Sequence, residues 1–240
     1  MKFEKPASWI NPPKKNDVPH RIVIEGLIGV GKTFFSKDLA KELEYHLMEE
    51  PVAENKLLPL FYSDPKRFAF AMQVKMLTER LSMERAGTYM VEAGVVPGVV
   101  YDRSLGGDAV FMELNTVLGN IAPEEAEVYL RLFGQMKIES PYPDLIIFLE
   151  ASLDTVRWRI KGRGRPFEKS ILDEGNHYLE GLQEGYDRFL EAMGYHTCVV
   201  RLDWEKFRSA SSVWSEIKEK YEASQESRCQ KMLLEWNDHA

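Results

Sequence analysis

Cysteine is nearly missing from this sequence. Cys198 and Cys229 are the two in 240 residues, too few for a disulfide framework, and a reducing compartment is the expectation. Long apolar runs are missing as well: none approaches the ~18–20 residues that a membrane-spanning helix needs. Met1-Lys2-Phe3-Glu4-Lys5-Pro6 offers no apolar stretch of the kind a secretory signal carries. The expectation is a cytoplasmic protein with no membrane partner. Positive charge is not in excess: 31 Lys and Arg face 38 Asp and Glu, a net charge of −7. That balance argues against a dedicated nucleic-acid binder, although a small phosphorylated ligand needs only a local basic site. Internal repeats and low-complexity linkers are also absent.

What is present is an ordinary globular composition, 44% hydrophobic and 29% charged, in a chain long enough for one substantial core. Residues 1–20 hold four prolines, Pro6, Pro12, Pro13 and Pro19, and read as a flexible leader. A single domain is expected over 21–222, followed by a polar tail, 223–240, that is either a frayed helix or a docking segment. Short apolar runs alternate with longer amphipathic ones. Ile22-Val23-Ile24, Val99-Val100-Tyr101, Leu145-Ile146-Ile147-Phe148-Leu149 and Cys198-Val199-Val200-Arg201-Leu202 read as buried strands, with a further strand at 45–49. Helices are predicted over 32–47, 66–93, 107–117, 123–139, 152–161, 173–193 and 209–223. This alternation predicts an α/β fold with a parallel sheet of about five strands flanked by helices on both faces.

Gly26-Leu27-Ile28-Gly29-Val30-Gly31-Lys32-Thr33 matches G-x-x-x-x-G-K-[ST] in full and stands between a predicted strand and a predicted helix. The glycines Gly26, Gly29 and Gly31 let backbone N–H groups turn inward around phosphate oxygens, and the helix N-terminus adds partial positive charge. Lys32 is placed to reach the β- and γ-phosphates and Thr33 to ligate Mg²⁺. The motif implies a P-loop fold and ATP as phosphate donor. It does not name the acceptor.

Three segments bear on the acceptor. Glu50, before Pro51-Val52, would stand at the C-terminal sheet edge, where open α/β sheets bind ligands and where a carboxylate could take a proton from an attacking hydroxyl; alone, it is an acidic loop residue. Asp102-Arg103-Ser104 follows a strand. There Arg103 could hold both that carboxylate and a transferring phosphoryl group, and Asp102 could hold the hydration shell of Mg²⁺; alone, the pair is a surface salt bridge. Arg157 to Arg165 carries five cations in nine residues with Gly162 and Gly164 interspersed. It reads as an arginine-rich lid over ATP, or else as helix-terminal cations.

Taken together, P-loop, Glu-Pro-Val, Tyr-x₁₀-Gln, Asp-Arg-Ser and Arg-x₃-Arg-x-Arg make the chain resemble the deoxyribonucleoside kinase family from about Arg21 to Tyr221. The resemblance implies Glu50 as general base for a 5′-hydroxyl, with Arg103 positioning it. Arg159, Arg163 and Arg165 fall on the family's lid arginines. Tyr62 and Glu168 would hold the sugar 3′-hydroxyl, and Gln73 would pair with the base. Met76 and Arg80 share a helical face with Gln73, and Arg80 with Asp108 falls where the family sets a charged pair against the base. That pair marks the purine-deoxynucleoside and deoxycytidine branch rather than the thymidine one. The family usually has Glu where Asp102 stands and a second acidic residue before Glu168, where Pro166-Phe167 intervenes here. Residues 203–207 resemble its adenine-packing loop, one residue shorter. The resemblance further implies a homodimer acting in nucleotide salvage.

The alternatives are a nucleoside monophosphate kinase, which would need a cation for the acceptor's own phosphate, and a non-catalytic subunit of the same fold. The presence of Lys32, Glu50 and Arg103 weighs against the second. No Asn-Lys-x-Asp motif is found, which weighs against a GTPase.

Overall fold

The structure is a computed structural model that describes residues 18–50, 55–138, 140–173 and 175–238, with side chains through residue 227. The leader up to residue 17, and Pro51 and Val52, lie outside the described residues.

Five strands form one parallel sheet in the order β2-β3-β1-β4-β5: β1 (Arg21–Gly26), β2 (His46–Met48), β3 (Val99–Asp102), β4 (Leu145–Glu150) and β5 (Cys198–Asp203). Ile22, Val23 and Ile24 are all buried, as are Leu145, Ile146 and Ile147. Successive strand residues point to opposite faces, so both faces of the sheet are covered, as the continuous apolar runs predicted. Each such side chain contributes about 1.5–3 kcal/mol of transfer free energy.

The helices are α1 (Lys32–Glu42), α2 (Leu57–Ser63), α3 (Pro65–Glu92), α4 (Leu105–Val117), α5 (Pro123–Ile138), α6 (Leu153–Arg163), α7 (Tyr178–Gly194) and α8 (Ala210–Asp238), with a 3-10 segment over Pro166–Leu172. Among the described residues none is long and apolar enough to cross a membrane.

Three helix boundaries differ from the sequence reading by more than two residues, and one helix is additional. Helix α1 ends at Glu42, not 47, because Glu44 turns left-handed at φ 55°, and His46–Met48 joins the sheet within the strand expected at 45–49. Helix α2 went unpredicted. Its Pro59 sits in the first turn, where a missing N–H costs nothing. The helix predicted from 173 starts at Tyr178, after an Asn176 turn whose Oδ1 accepts from the Tyr178 N–H at 2.9 Å. Helix α8 runs through the expected boundary at 222 to Asp238.

Strand order is what builds the site. β2, β3 and β1 are neighbours, so the segments that leave their C-terminal ends meet at one edge. These segments carry Glu50, Arg103 and the phosphate loop.

Candidate active site

The phosphate loop bends at Gly29 (φ 80°) and Gly31 (φ 111°), in the left-handed region that favours glycine. Space is closed there as well. A Cβ on Gly31 would stand 2.5 Å from the Phe207 ring, and one on Gly29 would stand 2.4 Å from Ile160. From this loop Lys32 folds back, donating from Nζ to the carbonyls of Leu27 at 2.8 Å and Gly26 at 3.1 Å. Burial and the neighbouring Arg103 push its ammonium down to about 7, against the pull of Asp102, Glu25 and Glu50. One residue on, Thr33 Oγ1 donates to Asp102 Oδ2 at 2.5 Å. Asp102 is buried, and burial raises its carboxyl although Lys32, the Thr33 hydroxyl and Arg103 oppose that.

Glu50 faces inward. Its Oε1 accepts from Arg80 Nε at 3.0 Å and Nη2 at 2.5 Å, and its Oε2 lies 3.6 Å from Arg103 Nε. Burial alone would raise the Glu50 carboxyl; Arg80, Arg103 and Lys32 outweigh it and hold it below its usual range. Arg80 also donates through Nη1 to Asp108, whose other oxygen accepts from the Tyr129 hydroxyl. Asp108 is fully buried, and desolvation carries its carboxyl up to about 6 despite Arg80 and Tyr129.

One cleft gathers most of the remaining candidates. Gly29, Lys32, Thr33, Glu50, Tyr62, Gln73, Met76, Arg80, Asp102, Arg103, Arg163, Arg165 and Glu168 all line it. Gln73, Met76 and Arg80 present one buried face of α3 to it, as their spacing predicted. The Gln73 Nε2 donates to the Asp108 carbonyl at 3.3 Å. Glu168 is gripped by Arg163, Nη2 to Oε1 at 2.8 Å and to Oε2 at 2.7 Å, and by Arg165 at 3.4 Å. Tyr62 stacks on Phe167 with ring centroids 5.6 Å apart. Burial, Tyr178 and Glu168 all raise its hydroxyl.

A profile of the deoxynucleoside kinase family matches residues 22–225. The chain belongs to the deoxynucleoside kinase family. Among the relatives of this deoxynucleoside kinase, the deoxyadenosine kinase of Dictyostelium discoideum is 32% identical over 210 residues, covering 88% of this chain and 82% of that protein. The deoxyguanosine kinase of Lactobacillus acidophilus is 35% identical over 198 residues, covering 80% and 83%. The solved deoxyadenosine kinase of M. mycoides with bound dATP shares 30% identity at a TM-score of 0.68, covering 81% of this chain and 97% of that one.

Four of the candidate residues in this deoxynucleoside kinase do not line the cleft. Gly26 packs against Leu149 and Gly31 against Phe207, and Asp108 is paired with Arg80. Arg159 lies apart from Arg163 and Arg165. It donates to the carbonyls of Val30 at 2.8 Å and Trp204 at 2.9 Å and covers the Phe207 ring at 4.3 Å. The arginines expected as one lid thus divide, Arg163 and Arg165 to the cleft and Arg159 to the outer side of the phosphate loop.

Sequence reasoning missed several residues of the site. Phe111 lines the cleft with its ring 4.8 Å from the Arg103 guanidinium and 5.9 Å from that of Arg80. Its place three residues after Asp108 on α4 was a usable signal. Asn55 and Tyr178 also line the cleft; Asn55 offers its Nδ2 to the sulfurs of Met76 at 3.2 Å and Met72 at 3.4 Å. Glu25 ends an apolar strand as a fully buried carboxylate, and such a group requires a cation nearby.

Proposed function

We propose that this cleft transfers the γ-phosphate of ATP to the 5′-hydroxyl of a deoxynucleoside, with Glu50 as the base that accepts the hydroxyl proton. The observation that carries the reading is the Glu50 carboxylate, held ionised by Arg80 and Arg103 in the same cleft as Lys32. A base must be unprotonated at working pH and within reach of the reacting hydroxyl, and a deprotonated, inward-facing Glu50 meets the first condition across neutral pH.

In this reading Lys32 and the loop N–H groups hold the terminal phosphates, and Arg103 absorbs charge as it develops. Arg163 and Arg165 exchange part of their grip on Glu168 for phosphate oxygens. Phosphoryl transfer through a loose transition state needs positioning above all, and the proton moves late to Glu50. Thr33 and Asp102 supply a hydroxyl and a carboxylate side by side, a donor set that suits Mg²⁺, which takes few protein oxygens and keeps several waters. When bound there, Mg²⁺ would supply charge neutralisation at the phosphates. On the acceptor side, Tyr62 and Glu168 take the sugar and Gln73 the base edge, the amide offering both a donor and an acceptor.

The base preference follows from the Arg80–Asp108 pair and from relatives named for deoxyadenosine and deoxyguanosine. A purine deoxynucleoside or deoxycytidine is favoured over thymidine. Nucleotide salvage in the cytoplasm, as a homodimer, belongs to the same reading. The exposed apolar side chains Val117, Val128 and Leu130 on α4 and α5 would suit a second copy. The test is ATP consumption with the four deoxynucleosides, their ribose counterparts and the corresponding monophosphates. Turnover of deoxynucleosides, with thymidine weakest, is expected. Turnover confined to monophosphates would make the chain a nucleoside monophosphate kinase instead.

A further inference from the structure

Arg103 adopts φ 76°, a left-handed conformation uncommon for a bulky residue and one that persists only where the surroundings enforce it. The enforcement comes from Glu25. Its Oε1 accepts from the backbone N–H of Ser104 at 2.9 Å and from the Ser104 hydroxyl at 2.7 Å. Ser104 Oγ in turn accepts from the Gly107 N–H at 2.9 Å, capping α4. The turn from β3 into α4 is therefore hung on one carboxylate oxygen. Gly107 permits this approach, since a Cβ there would stand 2.2 Å from Oε1.

The second oxygen braces the side chain. Glu25 Oε2 accepts from the Tyr186 hydroxyl at 2.9 Å, which accepts from Arg103 Nη1 at 2.5 Å. Oε2 itself lies 3.5 Å from Nη1. One edge of the Arg103 guanidinium is thus fixed by Glu25 and Tyr186, and its Nε edge is turned to Glu50. Glu25 and Tyr186 are fully buried and do not line the cleft, so they act on substrate only through Arg103.

We infer that Glu25 and Tyr186 are positioning residues: a buried brace that holds Arg103 in its strained backbone conformation and aims its guanidinium at the Glu50 carboxylate. This rests on the deoxynucleoside kinase reading of the cleft.

The test measures kcat and KM for wild type, Glu25→Gln, Tyr186→Phe and Arg103→Lys, with the deoxynucleoside that the wild type turns over best, and repeats Glu25→Gln in the Arg103→Lys background. Gln keeps the size of Glu25 and one acceptor for Ser104, so the change falls on charge and on the brace. A misaimed group costs turnover more than binding. The expected result is a kcat lower by roughly 10- to 100-fold in each single variant, with KM for the deoxynucleoside within about threefold of wild type. Once Arg103 is Lys, Glu25→Gln should remove less than about twofold more, because residues acting as a unit are not additive. Tyr186→Phe removes one hydroxyl and keeps the ring, so it carries the test if Glu25→Gln fails to fold. Variants with kcat within about twofold of wild type, or Glu25 and Arg103 losses that multiply independently, would overturn the inference while leaving the proposed function standing. A wild type that phosphorylates no deoxynucleoside would overturn both.

Discussion

Arg80 grips Glu50 through two nitrogens, Nε at 3.0 Å and Nη2 at 2.5 Å, while its third nitrogen holds Asp108. One buried cation therefore serves two buried carboxylates, and the residue expected at the nucleobase is also bonded to the proposed base. A buried ion pair is weak support for stability as such, but removing one partner leaves the other charge uncompensated.

Arg80→Met should accordingly destabilise the fold by ~3–5 kcal/mol, measurable by urea unfolding. It should also move the acid limb of kcat/KM. In the wild type the Glu50 carboxyl is held below its ordinary value, so its stabilising contribution is present above the unfolded value and is lost as pH falls through the folded one. Without Arg80 that depression weakens, and activity should fail at a higher pH than in the wild type. An acid limb that stays in place would separate Arg80 from the protonation of Glu50.

Lys32 makes a second pH prediction. Its ammonium is lowered to about 7, first by burial, so the contribution of this group to stability is present above the unfolded value and is lost as pH falls through about 7. Phosphate oxygens would raise it again. ATP binding between about pH 7 and 9 should then take up a proton, and affinity should fall as pH rises across that window. Calorimetry in buffers of different ionisation enthalpy reads the uptake directly. Binding with no proton uptake at pH 8 would mean that Lys32 stays charged throughout.

Gln73→Leu keeps side-chain bulk and removes both the amide acceptor and the amide donor, the latter bonded to the Asp108 carbonyl at 3.3 Å. Loss of a buried hydrogen-bond partner costs about 1–3 kcal/mol, so kcat/KM for the preferred deoxynucleoside should drop roughly 10- to 100-fold with little change in KM for ATP. Equal losses for both substrates would move Gln73 out of base recognition.

The sheet was legible because its strands are continuous apolar runs, and the phosphate loop because its spacing is dictated by phosphate geometry. The face formed by Gln73, Met76 and Arg80 was legible from helical periodicity. Local sequence did not show where α1 ends, since nothing around Glu44 marks a left-handed turn in a stretch that otherwise continues the helix. Nor did it separate Arg159 from Arg163: both stand on α6, about one turn apart, yet Arg159 donates to the Val30 and Trp204 carbonyls while Arg163 reaches Glu168, and only Arg165 lies beyond the helix end at Gly164. Glu25 and Tyr186 come from segments far apart in the chain, and only the packing of α7 over the sheet brings them together at Arg103.

The most direct test of Glu50 is the turnover of Glu50→Gln alongside its binding of ATP and deoxynucleoside. With a general base removed and the fold intact, kcat should fall by ~10²–10⁴ while both substrates still bind. Turnover at the wild-type rate would contradict the assignment of Glu50 as the base.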